Sequence, residues 1–99
     1  MDLNKQIGMV VKTGKVELGS AGTADAAKSG KARLIVVASN CPEPHKSNIL
    51  YNAKLSEVPV YMYSGTSADL GTACEKPFLV AALAVKEPGD SEILKLAEK

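Results

Sequence analysis

The sequence has no tryptophan, one phenylalanine, one histidine and two cysteines among its 99 residues. With aromatics at 4%, the core has to be built from Val, Leu, Ile and Ala. The two thiols, Cys41 and Cys74, are too few for a disulfide scaffold and show no Cys-x-x-Cys spacing, so reduced cytosolic cysteines are expected. Long apolar runs are missing as well. The longest, Phe78 to Val85, falls well short of the roughly 20 residues that a spanning helix needs, which excludes a helical membrane protein. The opening Met1-Asp2-Leu3-Asn4-Lys5 lacks an apolar h-region, and a cytoplasmic chain without a secretory signal is expected. Neither low-complexity tract, internal repeat nor linker is present, so residues 1–99 are read as a single domain.

Net charge is only +1, yet it is unevenly spread. Residues 1–54 carry eight Lys/Arg against four acids, and residues 55–99 carry four against seven. Such a division accompanies polyanion sites on one side of a domain.

Hydrophobic spacing alternates between helix and strand. Leu3, Ile7, Val10 and Val11 recur at helical spacing and end at Thr13-Gly14; Val16-Glu17-Leu18 alternates as a strand. Residues 19–23 read as a Gly/Ser loop, with Ser20 or Thr23 capping an Ala-rich helix that Gly30 closes. Leu34 to Ala38 is an uninterrupted apolar run, as in a strand covered on both faces. After a loop from Ser39 to His45, Ile49, Leu50, Ala53 and Leu55 mark a third helix. Val58 to Tyr63 is a strand, Ser64 to Ser67 a turn with N-cap candidates, and a short helix follows to about Cys74. The run Phe78 to Val85 is the fourth strand, and Asp90 or Ser91 caps a last helix carrying Ile93, Leu94 and Ala97. The expected fold is α/β: a three-layer α/β/α sandwich with a central four-stranded mixed sheet and about five helices.

In open α/β sheets ligands sit outside the carboxyl ends of the strands. Here residues 19–23, 39–45 and 64–67 form that edge. Gly19 and Gly22 leave backbone N–H groups bare, which suits a phosphate cradle, although short Gly loops more commonly serve as tight strand-to-helix turns. Asn40 has an amide that fits a base or phosphate, or a tie to its own loop. The spacing of Cys41 and His45 invites thought of a nucleophile and base or of two metal ligands, but no third group completes either set. Asp69 and Glu75 make no acid/base pair, so neither enzymatic activity, metal nor cofactor is expected. An isolated Phe ordinarily belongs to a core. Should the last strand run antiparallel to its neighbours, however, Phe78 arrives at the carboxyl edge, where it can receive an unstacked base. Lys28, Lys31 and Arg33 fall at the opposite edge, as a solvated surface or as a second contact with a large partner.

The runs Thr13-Gly14-Lys15-Val16, Gly30 through Asn40, Leu55 through Tyr61, Gly65 through Ala73 and Glu87 through Leu94 together resemble the large-subunit ribosomal protein family L-thirty-e of archaea and eukaryotes. The match covers nearly the whole chain, and its length is similar to that of archaeal members. The resemblance implies the L-seven-Ae kink-turn RNA-binding superfamily: a monomeric, non-catalytic ribosomal RNA binder of the large subunit that grips a sharply bent internal loop with three loops on one edge. By matching position it implies RNA contacts at Gly19, Ser20, Asn40 and Phe78, with Lys46 at a commonly basic position and His45 beside it where Arg occurs in some members. The chain departs from the pattern at Ala21, Gly22 and Asp25, where basic residues are usual, and at Glu75, which replaces a usual Gly. Binding is then expected to lean on backbone N–H groups, shape and Phe78 more than on cations. A non-ribosomal kink-turn adaptor, or a small nucleotide- or metabolite-binding α/β module, are the competing functions.

Overall fold

The structure, a computed structural model, describes the backbone of residues 3–97 and the side chains of residues 3–95. In chain order it contains α1 (Leu3–Thr13), β1 (Lys15–Leu18), α2 (Ser20–Ser29), β2 (Leu34–Ala38), α3 (His45–Leu55), β3 (Val60–Tyr63), α4 (Ser67–Ala73), β4 (Ala82–Glu87) and a 3₁₀ helix, Ile93–Ala97. The four strands form one mixed sheet in the order β1-β4-β2-β3. Strand β4 is antiparallel to both β1 and β2, while β2 and β3 are parallel. The carboxyl ends of β1, β2 and β3 therefore share one rim with the start of β4.

The sheet is organised around β2, in which Leu34 through Ala38 are all 0% exposed. Side chains alternate across a strand, so this one segment feeds two apolar clusters. Leu34, Val36 and Ala38 meet Ile7 and Val10 of α1, Leu70 of α4, Leu83 and Val85 of β4, and Ile93. Ile35 and Val37 meet Ala24, Ala26 and Ala27 of α2, Ile49 and Ala53 of α3, and Ala82 and Ala84 of β4. The second cluster is rich in alanine, whose small side chains let α2 and α3 lie close to the sheet. Burying each Val, Leu or Ile contributes about 1.5–3 kcal/mol, so a core without Trp is adequate at this size. Among the described residues no helix is long and apolar enough to cross a membrane.

Several expected boundaries move. The described residues form four α-helices rather than about five, because the segment from Ile93 closes as 3₁₀. The candidate caps there serve a turn instead: Ser91 donates to Pro88 O from both its N–H and its hydroxyl, and Asp90 N donates to Thr13 Oγ1. The expectation for the Ala97 side chain lies outside the described residues. Strand β3 starts at Val60, two residues after the expected Val58, and β4 starts at Ala82 rather than Phe78. Leu55, one of the apolar residues that mark α3, is 65% exposed. Helix α2 begins already at Ser20, so most of the expected loop 19–23 is its first turn. Neither Ser20 nor Thr23 caps it: Gly19 holds the N-cap position without a side-chain hydrogen bond, and the Thr23 hydroxyl donates back to Gly19 O at 2.7 Å.

Candidate nucleic-acid interface

The rim at the carboxyl ends of β1, β2 and β3 is laced together by backbone hydrogen bonds. Gly19 N donates to Ala82 O at 2.8 Å, and Ala38 N to Ala81 O at 2.9 Å. Ser39 donates to Gly65 O from both its N–H (3.0 Å) and its hydroxyl (2.9 Å). Ser67 N donates to Asn40 Oδ1 at 2.7 Å, and Val80 N donates to Ser67 O at 3.1 Å. Four separate chain segments are thereby fixed relative to one another, which is what recognition of a shaped ligand requires.

Three helices present their N-termini here, and they differ in chemistry. Helix α4 is closed by a capping box: Thr66 Oγ1 accepts from Asp69 N, and Asp69 Oδ2 accepts from Thr66 N. Helix α3 has Glu43 over its first turn, its carboxylate accepting from both the hydroxyl and the N–H of Ser47. Those two bonds, the hydroxyl's first, hold the Glu43 carboxyl below its ordinary range. Helix α2 has no side-chain cap; the Glu17 carboxylate lies beside Gly22 but is paired with Lys86. The first intrahelical bond of α2 runs from Thr23 N to Gly19 O at 3.0 Å, leaving the N–H groups of Ser20, Ala21 and Gly22 without a partner among the described residues. The positive end of the α2 dipole thus faces solvent at Gly19, and an anion is the natural complement.

Gly19 makes this opening through its backbone. Its φ of 99° and ψ of 159° lie in a region that side-chain-bearing residues avoid, and a Cβ placed on it would meet nothing within 4 Å. The glycine is thus set by conformation rather than by crowding. Asn40 is exposed, and because its oxygen accepts from Ser67 N, its amide NH₂ is left to donate outward.

Phe78 is 54% exposed and neighbouring Leu79 is 67% exposed, on the segment that leads from α4 into β4. The ring is outside the core because α4 and this segment touch backbone to backbone. A Cβ on Gly71 would lie 2.2 Å from Phe78 O, and Val80 takes the inward place. Phe78 and Leu79 line a shallow recess with Ala68, Thr72, Lys76 and Pro77. Sequence reasoning missed Leu79. The usable signal was length, since an apolar run from Phe78 to Val85 exceeds the usual strand of about 5–6 residues and follows a proline.

The structure brings Gly19, Ser20, Asn40 and Phe78 to the same rim, while His45 and Lys46 lie in the first turn of α3 beside it. His45 is exposed and Lys46 half-buried. Cys41 is buried, which raises its thiol pKa despite nearby Lys46. Asp25 and Ala21 are exposed on α2. Glu75, three residues before Phe78, is turned toward α1: its carboxylate lies 2.8 Å from Lys12 Nζ.

The comparisons agree with this architecture. The family model described as ribosomal protein L7Ae/L30e/S12e/Gadd45 matches residues 1–95. A large ribosomal subunit protein eL30 from Methanothermobacter thermautotrophicus is 52% identical over 96 residues, covering 97% of this chain and 98% of the relative. Another of the same name, from Methanocaldococcus jannaschii, is 48% identical over 99 residues, covering 100% and 90%. A solved structure of a Bacillus halodurans protein of unknown function superposes with a TM-score of 0.82 at 21% identity, over 96% of this chain and 94% of that one, and it speaks to the fold alone. A match across residues 1–95, together with relatives of such identity along almost their full length, means that the chain belongs to the ribosomal protein L7Ae/L30e/S12e/Gadd45 family.

Proposed function

We propose that the chain is a non-catalytic structural constituent of the large ribosomal subunit that binds ribosomal RNA at a kink-turn-like bent internal loop, in the cytoplasmic ribosome. It works as one domain spanning residues 1–99 and is monomeric when free. The same reading takes the domain as a three-layer α/β/α sandwich, because alternate residues of β2 feed two separate apolar clusters. Its relatives' names support the ribosomal assignment.

The observation that carries the RNA reading is the uncapped N-terminus of α2 on the same rim as an outward-donating Asn40 and an exposed Phe78. Each suits a different part of sharply bent RNA. A kink crowds phosphates together, and the free N–H groups of Ser20, Ala21 and Gly22 offer partial positive charge without a long side chain to order. An extruded base needs an apolar plane, which Phe78 supplies at about 1–3 kcal/mol per stacked base. Base edges carry acceptors, and Asn40 donates. His45 and Lys46 add a donor and a cation at the α3 end of the rim.

The test is titration against a kink-turn RNA beside a control whose sheared G·A pairs are replaced by Watson–Crick pairs. Strong preference for the kinked RNA is expected; equal affinity for both overturns the reading. Co-sedimentation with assembled large subunits then separates a ribosomal protein from a free-standing adaptor. A thermal shift with nucleotides, in the absence of kink-turn binding, points instead to a small-molecule module.

A further inference from the structure

The pole opposite the rim carries a cluster of cations, in no ion pair among the described residues, that the kink-turn reading does not use. Strand β2 separates the two ends of the molecule: Ser39 follows its last residue at the rim, and Arg33 precedes its first, tied by Arg33 N to Val85 O at 2.7 Å. Five residues of strand span about 16 Å. Lys28 in the last turn of α2, Lys31, Arg33, and Lys54 in the last turn of α3 are all exposed. Gly30 joins the two helix ends, since a Cβ there would lie 3.9 Å from Ser56 Cβ, just past the end of α3.

None of these four cations has a carboxylate partner; the ion pairs of the described residues are Lys12–Glu75, Lys86–Glu17 and Lys95–Glu92. The acids around them are Glu57 after α3, Asp25 one turn back along α2, Glu17, which is paired with Lys86 and shares a recess with Asp25 and Lys31, and Glu87 on the β1 side of the pole, beside Lys15. The carboxyl ends of α2 and α3 each contribute about half a negative elementary charge. Those two ends, Glu57 and Asp25 balance about three of the four cations, so a local excess of about one positive charge remains. Capping the helix dipoles explains Lys28 and Lys54 but not Lys31 and Arg33, which lie beyond the helix.

We propose that this pole, built from Lys28, Lys31, Arg33 and Lys54, is a second docking surface, for the phosphate backbone of a regular RNA duplex. The chain then joins two RNA segments through opposite ends of a molecule 28 Å in its longest extent. Helix α2 links them, with bare N–H groups at one end and Lys28 at the other. RNA fits better than an acidic protein. Lysine is depleted at the cores of protein–protein interfaces, whereas exposed, unpaired Lys and Arg are the ordinary phosphate contacts. Leu55 is the exposed large apolar side chain beside Lys54. The proposal does not depend on the rim being a kink-turn site.

The experiment compares the whole chain with a K28Q/K31Q/R33Q variant and a rim variant, N40D/F78A, after melting curves show all three folded. Fluorescence anisotropy is read with an uninterrupted RNA duplex of about 20 base pairs and, separately, with a kink-turn RNA. The triple variant is expected to bind the duplex about tenfold or more weakly, with a salt slope shallower by about 2–3, while holding the kink-turn within twofold. The rim variant is expected to behave the opposite way. A native gel should show the kink-turn complex taking up labelled duplex as a third component. Unchanged duplex binding by the triple variant overturns the proposal. So does competition by an oligoglutamate of matched charge as effective as by the duplex, which identifies an acidic protein partner. Loss of kink-turn preference alone, with duplex binding still abolished by the triple variant, defeats the rim reading and leaves this one standing.

Discussion

Asn40 Oδ1 accepts a 2.7 Å hydrogen bond from Ser67 N, so a residue following β2 holds the first turn of α4 in place across the rim. The bond fixes which end of the amide faces solvent. Ser67 N can only donate, so the Asn40 oxygen must point inward and its NH₂ outward. One side chain therefore combines a structural acceptor with a free donor, and the two roles can be separated.

Replacing Asn40 by Asp keeps an oxygen for Ser67 N and puts a second oxygen, with negative charge, where the donor stood. The melting temperature is expected to change little, while kink-turn affinity falls about tenfold or more, since hydrogen bonds to charged groups are worth about 1.5–3 kcal/mol. Asn40→Ala is expected to lose both affinity and about 1 kcal/mol of stability, as the inward bond goes too. Equal affinity for wild type and N40D in a gel-shift titration removes Asn40 from the RNA site.

Phe78→Ala should separate binding from folding in the same way. The ring is 54% exposed, so little of the core depends on it. Loss of one stacking plane predicts about a tenfold or greater drop in kink-turn affinity, with the denaturant midpoint nearly unchanged. Unchanged affinity excludes the ring from base contact.

The architecture was legible in the sequence for a physical reason. Leu34 through Ala38 reads as an uninterrupted apolar run because both of its faces are buried, and Gly14 and Gly30 stand where helices stop. What stayed hidden depends on contacts distant along the chain. Residues 20–23 have a loop-like composition, and the helix there is held by the packing of Ala24, Ala26 and Ala27 against the sheet rather than by intrinsic preference. The break between Phe78 and Ala82 follows from the close approach of Gly71 to Phe78 O. The orientation of Asn40 depends on Ser67, 27 residues onward. Gly19, Ser20, Asn40 and Phe78 were thus candidates that the sequence could put forward, but which of their atoms face outward it could not give.

Two glycines should fail for different reasons. Gly19→Ala has open space for its methyl but must adopt a φ near 99°, a strain of about 1–3 kcal/mol. The helix entry is expected to shift, lowering RNA affinity along with stability. Gly71→Ala has no such conformational penalty, yet its Cβ would fall 2.2 Å from Phe78 O. It is expected to displace the segment carrying Phe78, so a nuclear magnetic resonance spectrum should show shifts concentrated at residues 76–80. Shifts confined to α4 contradict this account.

Alkaline pH provides a check on the core. Burial pushes the Cys74 thiol from 9.0 up to about 11, partly offset by Lys76. Between those values the unfolded chain ionises Cys74 and the folded one does not, so stability is intact below pH 9 and declines as pH rises toward 11. Two pH units of linkage amount to a loss of about 2–3 kcal/mol by the upper end. Cys74→Ala should flatten that decline in denaturant titrations at pH 8 to 11; a decline unaltered by the substitution assigns it to other groups.

Glu75 adds a negative charge on the segment that leads to Phe78, at the end of α4 away from the rim. Its φ of 59° is left-handed, which costs a side-chain-bearing residue about 1–2 kcal/mol, and its carboxylate is held by Lys12. Both members of that pair are more than half exposed, so the ion pair is worth at most about 1 kcal/mol. Replacing Glu75 by Gly relieves the backbone, loses the pair and adds the flexibility of glycine, terms that nearly cancel; stability within about 1 kcal/mol of wild type is expected. The effect on RNA has a definite sign. Removing the carboxylate and releasing Lys12 makes the surface between the far ends of α1 and α4, below the rim, more positive, so kink-turn affinity should rise a few-fold at low salt. The gain should shrink near 0.15 M salt, where the Debye length is about 8 Å. Weaker binding by Glu75→Gly at every salt concentration would instead mean that the Lys12–Glu75 contact holds the Phe78 segment in its binding position, and that its geometric role outweighs its charge.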